Sequence, residues 1–98
     1  MAKLTDAQIG QELASLPGWE CRDNSLCKQF RFKEFMDGIH FIGQVAQMAE
    51  AADHHPDIQV NYTRVTFSCS THSEGGITEK DTRLARQIEQ AFSSPASS

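Results

Sequence analysis

Apolar residues recur along this chain with two periods, and the places where the period changes mark its elements. Ile9, Leu13 and Leu16 follow a helical spacing behind Thr5. Gln8 stands three residues after Thr5, the pairing that closes a capping box, and Leu4 is placed to staple onto Ile9. The stripe is narrow, so this first helix is expected to cover something larger, with Pro17 and Gly18 ending it. The next stretch alternates: Trp19 and Cys21, then Leu26, Phe30 and Phe32, lie on either side of Asp23-Asn24-Ser25 and predict a hairpin. From Phe35 to about Ala52 the period is helical again. One stripe there runs Phe35, Ile39, Ile42, Ala46 and Ala49, and a second runs Phe41, Val45, Met48 and Ala52. Two stripes predict two buried faces, one against a sheet and the other, with Val45 on it, in a subunit interface. Pro56 ends this helix.

Ile58, Val60 and Tyr62, then Val65, Phe67, Cys69 and Thr71, alternate on either side of a short connection and predict a second hairpin. After the loop His72–Ile77, Thr78 is placed to cap a last helix with the stripe Leu84, Ala85, Ile88 and Phe92. The expected fold is α+β: a two-layer arrangement in which a four-stranded antiparallel sheet is covered by three helices, in the order α-β-β-α-β-β-α. Residues 1–92 form one domain in this reading, and 93–98 a mobile polar tail.

The 98 residues suffice for one core and not for two, and a hydrophobic fraction of 39% is well above that of disordered chains. Nine basic against 13 acidic residues, with no basic run, disfavour nucleic-acid binding. The start of the chain shows no signal-peptide pattern, and no apolar run approaches the ~18 residues of a membrane span, so a soluble cytoplasmic protein is expected. Cys21, Cys27 and Cys69 form neither a disulfide set nor a zinc pattern, and reduced, mostly buried thiols are expected.

His54, His55 and His72 carry the chemistry. If the second hairpin turns at Thr63-Arg64, Tyr62 faces Val65 and His72 falls opposite position 55; longer connections place it opposite 54 or 53. Every such register brings three imidazoles to one mouth, where neutral and protonated rings are both accessible near neutral pH. His40, far up the helix, reads as a surface residue. No metal is expected, since adjacent His54 and His55 point about 100° apart on a helix end and no familiar ligand spacing is present.

The runs DHHPD at Asp53–Asp57, NYTRV at Asn61–Val65 and THSEGGITEKD at Thr71–Asp81 resemble the signature of the pterin-4a-carbinolamine dehydratase family, and the resemblance extends from about Trp19 to Phe92. It implies a hydro-lyase that dehydrates a 4a-hydroxytetrahydropterin to the quinonoid dihydropterin in tetrahydrobiopterin recycling, linked to an aromatic amino acid hydroxylase. The pterin is then the substrate, and no cofactor is implied. The resemblance makes His54 and His72 acid candidates and His55 the base and ring-positioning residue. Asp81 would orient His72, cap the last helix, or do both; Glu50, Pro56, Ser70 and Thr71 would join Asp81 in binding the pterin. Ile58 stands where many family members carry an aromatic residue. The alternative is a non-catalytic dimerisation or assembly cofactor, since the family includes a partner of a homeodomain transcription factor. A homodimer or homotetramer through the 35–52 helix is expected in either case.

Overall fold

The computed structural model describes residues 3–93. Its elements run α1 (Asp6–Leu13), β1 (Glu20–Arg22), β2 (Ser25–Arg31), α2 (Phe35–Ala52), β3 (Asp57–Asn61), β4 (Arg64–Cys69), a short 3-10 turn (His72–Glu74) and α3 (Glu79–Ser93). The strands form one antiparallel sheet in the order β1-β2-β4-β3. This is the expected α+β arrangement. Ser93 belongs to α3, and the rest of the expected tail lies outside the described residues.

Local chemistry accounts for much of it. Thr5 caps α1 with the full box: Gln8 N–H donates to Thr5 Oγ1 at 3.1 Å and Thr5 N–H to Gln8 Oε1 at 2.8 Å. α1 has no buried residue of its own, as befits a cover, and it ends at Leu13, so that Leu16 reaches the core from the following turn. Asp23 and Asn24 take φ of 48° and 62°, the left-handed pair that makes a two-residue turn match the twist of its strands.

The sheet is two-sided. Leu26 and Phe30 on β2 and Val65, Phe67 and Cys69 on β4 are buried under the helices, while the alternate positions Gln29, Arg31, Arg64, Thr66 and Ser68 belong to the uncovered face. Phe30 is the hub of the core. Its ring centroid lies 4.7 Å from that of Phe92, 5.6 Å from Phe41, 5.7 Å from Phe67 and 6.2 Å from Trp19. Removing so buried an aromatic ring typically costs about 3–5 kcal/mol. Glu89 of α3 accepts from Trp19 Nε1 at 2.9 Å and from Lys28 Nζ, which ties α3 to β2.

Four expectations are corrected. The second hairpin turns at Tyr62-Thr63, not Thr63-Arg64, so Asn61 faces Arg64 and Val60 faces Val65. Tyr62 adopts φ 53°, a left-handed conformation that tyrosine rarely takes. β4 ends at Cys69, and His72 leaves the ladder for the 3-10 turn. On α2 the stripe of Phe41 and Val45, with Gly38 and Ala49, is the inner one: Val45 is 0% exposed, whereas Phe35 remains 43% exposed. Closest approach explains the choice, since a Cβ on Gly38 would stand 3.2 Å from Val65 Cγ2 and 3.3 Å from Phe32 Cδ2. The cysteines are all free, but only Cys69 is buried; Cys27 is half-buried and Cys21 exposed. Burial, aided by the Asp81 charge, pushes the Cys69 thiol far above its ordinary range, so this residue is an inert core group.

The residues before α1 reach across the fold. Leu4 N–H donates to the Ile77 carbonyl at 2.8 Å. The Lys3 side chain lies over Gly76, where an added Cβ would stand 2.6 Å from Lys3 Cδ.

Candidate active site

α2 ends on a left-handed residue, Asp53 (φ 51°, ψ 43°), a conformation that aspartate tolerates better than most L residues. Asp53 N–H donates to the Glu50 carbonyl at 3.2 Å and His54 N–H to that of Ala49 at 3.0 Å, which closes the last turn and bends the chain sharply. This bend sends the adjacent histidines into different surroundings. The His54 side chain is only 11% exposed, and its Nε2 lies 2.5 Å from Oδ1 of Asp81, whose side chain is 0% exposed. The His55 side chain is 55% exposed and its Nε2 meets a carboxylate oxygen of Glu50, itself 75% exposed.

Asp81 is held from the other side as well. Its Oδ2 accepts from Thr71 Oγ1 at 2.9 Å and from Thr78 N–H at 2.9 Å. The second bond is half of a capping box: Asp81 sits three residues after the cap of α3 and reaches back to that cap's amide. Thr71 is fixed in turn, its N–H donating to the Gly76 carbonyl at 2.8 Å. Among the described residues no buried side-chain nitrogen or oxygen lacks a partner.

His72 opens the 3-10 turn, which closes on Gly75 at φ 73°. Its ring is exposed and has no hydrogen-bond or ion-pair partner among the described residues.

The three imidazoles do converge, along with Asp53, Ser70, Thr71, Ser73 and Lys80, on a cleft of about 310 Å³. That is within the range of small-molecule sites. Glu50, Pro56 and Asp81 do not line it. Glu50 is joined to it through His55, Asp81 lies behind His54, and Pro56 follows the histidine pair into β3. A larger cleft of about 500 Å³ on the uncovered side of the sheet contains Gly18, Glu20, Arg22, Gln29, Gln59 and Thr66 but no histidine. Lacking that chemistry, it is not the candidate site.

Asp81 holds His54, not His72 as the resemblance suggested, and it does so while capping α3. The geometry of a helix start explains this: the third-position side chain turns back toward the buried cap, under the end of α2, while His72 stands outside on its loop. Sequence reasoning missed Lys80 and Ser73 as lining residues and Thr78 as part of the buried network. The TEKD run signalled a helix cap, and nothing local in it signalled the second use. Ile58, 37% exposed on β3, follows directly on the site. Among the described residues no group of three or more His, Cys, Asp or Glu is placed to hold a metal ion, and no helix is long and apolar enough to cross a membrane.

A small antiparallel α+β domain whose helix end, strand end and loop meet in a cleft of three histidines defines the class. The family model for pterin 4 alpha carbinolamine dehydratase matches residues 2–91, and the chain belongs to that family. A relative from Mycobacterium sp. (strain KMS), named "Putative pterin-4-alpha-carbinolamine dehydratase", is 51% identical over 90 residues, covering 92% of this chain and 96% of its own. One from Thermomicrobium roseum with the same name is 44% identical over 93 residues, 95% of this chain and 100% of its own. The crystal structure of a transcriptional coactivator/pterin dehydratase from Brucella melitensis superposes with a TM-score of 0.86 at 37% identity, over 89% of this chain and 95% of that one. A pterin dehydratase-like RuBisCO assembly factor of the alpha-carboxysome shares the fold, with a TM-score of 0.60 at 19% identity over 72% of this chain and 82% of its own.

Proposed function

We propose that this protein dehydrates a 4a-hydroxytetrahydropterin to the quinonoid dihydropterin and water by histidine acid-base catalysis, in the recycling of the tetrahydropterin that an aromatic amino acid hydroxylase consumes. The observation that carries this reading is the meeting of His54, His55 and His72 in one cleft, two of them paired with carboxylates. The reaction needs such a set. The C4a–O bond breaks with its electron pair leaving as water once an acid protonates the hydroxyl, while the N5 proton passes to a base as the C4a=N5 bond forms. His54 and His72 are the donors to the hydroxyl and His55 takes the N5 proton; Ser70 faces the pterin's polar edge, and Thr71 lines the cleft beside it with its hydroxyl turned to Asp81.

The test is a tetrahydropterin-dependent phenylalanine hydroxylase reaction in which the transient carbinolamine absorbance is followed. Its decay accelerates when this protein is added. Decay at the uncatalysed rate, with folded protein present, sinks the proposal. Because proton transfer alone accounts for the chemistry, activity survives exhaustive chelation; loss on chelation and recovery with zinc would contradict that.

A second role has support from the outer face of α2, where Phe35 and Met36 are 43% and 50% exposed and Ile39 is half-buried. An apolar face of this kind on a small domain suits a symmetric oligomer through α2. The Brucella relative's title pairs a coactivator role with the dehydratase, so the face is equally the place to look for an assembly function. Ile39→Glu dissociates the oligomer in sedimentation velocity, and a monomeric unmodified protein at micromolar concentration refutes it.

A further inference from the structure

The hydrogen bonds behind His54 admit one arrangement of protons. Asp81 stands among donors, and as a carboxylate it only accepts, so the proton of its contact with His54 belongs to the ring. Its Oδ2 takes the Thr78 amide proton and the single hydroxyl proton of Thr71, each at 2.9 Å. Thr71 Oγ1, its proton spent, must accept across the 2.8 Å contact with Thr78 Oγ1. Thr78 Oγ1 therefore donates to Thr71, and it accepts from Lys80 N–H at 3.2 Å. Every donor in this chain runs the same way, from the first turn of α3 through two threonine hydroxyls into Asp81. Oδ1 is left to accept from His54 Nε2 at 2.5 Å.

We propose that Thr78, Thr71 and Asp81 are positioning residues that lock His54 as its Nε2–H tautomer, so that it exchanges protons with the cleft through Nδ1 alone. The inference rests on the dehydratase reading for its purpose, though not for its geometry. When His54 acts as an acid it gives the Nδ1 proton of its imidazolium form to the departing hydroxyl. It is left neutral, with the second proton still on Nε2 and donated in the hydrogen bond to Asp81. His55 differs: its carboxylate partner is 75% exposed and competes with water, so nothing fixes its tautomer. The lock also commits the Thr71 hydroxyl inward, leaving Ser70 as the hydroxyl free to meet a ligand.

The ring nitrogens of the ¹⁵N-labelled full-length protein, followed up a pH series until the imidazolium signal of His54 is gone, decide the matter. The expected pattern for His54 is a single neutral tautomer, protonated at Nε2. An Nδ1–H ring, or fast averaging of both forms, overturns the proposal. Asp81→Asn gives a sharper reading. Its amide oxygen can keep the bonds from Thr71 and Thr78, which turns the NH₂ toward Nε2 and forces His54 into the opposite, Nδ1–H tautomer. Turnover should then fall by up to about 10²-fold, no further than on removal of His54 itself, with the fold retained by circular dichroism. An unchanged tautomer in this variant overturns the proposal, and if the variant does not fold, the unmodified spectrum alone decides. Thr71→Val should lower turnover about 10- to 100-fold, the loss typical when a group supporting a histidine is removed from behind it, and Thr71→Ser should restore it. Failure of the dehydratase reading would appear as absent turnover with the His54 tautomer intact; failure of this inference would appear in the spectrum of an active protein.

Discussion

His54 and His55 are neighbours in the chain, each with a carboxylate oxygen against Nε2, yet the two pairs are physically unlike. One is closed off from water, with Asp81 wholly buried; the other lies open on both sides. An ion pair in water gains little, because solvent competes for both partners and salt screens them. A buried carboxylate that loses its partner has no such replacement. Proximity to an acid therefore says little about a histidine until burial is known. In this site the same pairing is closed off from water in one case and faces solvent in the other.

The largest effect that would test this contrast is on stability. Asp81→Ala leaves His54, the Thr71 hydroxyl and the Thr78 amide without their shared acceptor, and His54→Ala leaves a buried charge unpaired. Losses of about 3–5 kcal/mol are expected in denaturant unfolding, against no more than ~1 kcal/mol for Glu50→Ala or His55→Ala. Similar losses at both pairs would erase the distinction. Next comes turnover. His55→Ala should lose about 10²- to 10⁴-fold in rate at nearly unchanged stability. Single removal of His54 or His72 should fall near or below the lower end of that range, and the double variant should lose more than the product of the two, since no donor remains. Equal and small losses for all three would mean that other groups carry the protons. The smallest effect is on coupling: in double-mutant cycles, ~1 M salt should abolish the His55–Glu50 term and leave the His54–Asp81 term largely intact.

The difference between the two pairs also marks what could be read in advance. Elements declared themselves wherever the deciding contacts were local: the Thr5–Gln8 box, the Asp23-Asn24 turn, the helical period of α2 and the cap at Thr78 all follow from residues a few positions apart. The turn at Tyr62-Thr63 did not, because a tyrosine in left-handed backbone carries no sequence signal, and the expected register slipped with it. Nor was the inward stripe of α2 legible. Both stripes are apolar, and only packing of Gly38 against Val65 and Phe32 selects one. The histidine trio was legible because every register converged on it. The partner of Asp81 was not, since it lies 27 residues away on another helix end.

The contact of Leu4 with Ile77, and of Lys3 with Gly76, bears on how the protein is best handled. The loop that carries His72 hangs between Thr71 and Thr78, and one of its anchors is the backbone bond from Leu4, just ahead of the α1 cap. A purification tag joined close to Lys3, or a deletion that trims to the start of α1 at Asp6, works directly on that anchor. Such a protein would keep its sheet and its buried aspartate, unfold with nearly the usual cooperativity, and still present a loosened His72.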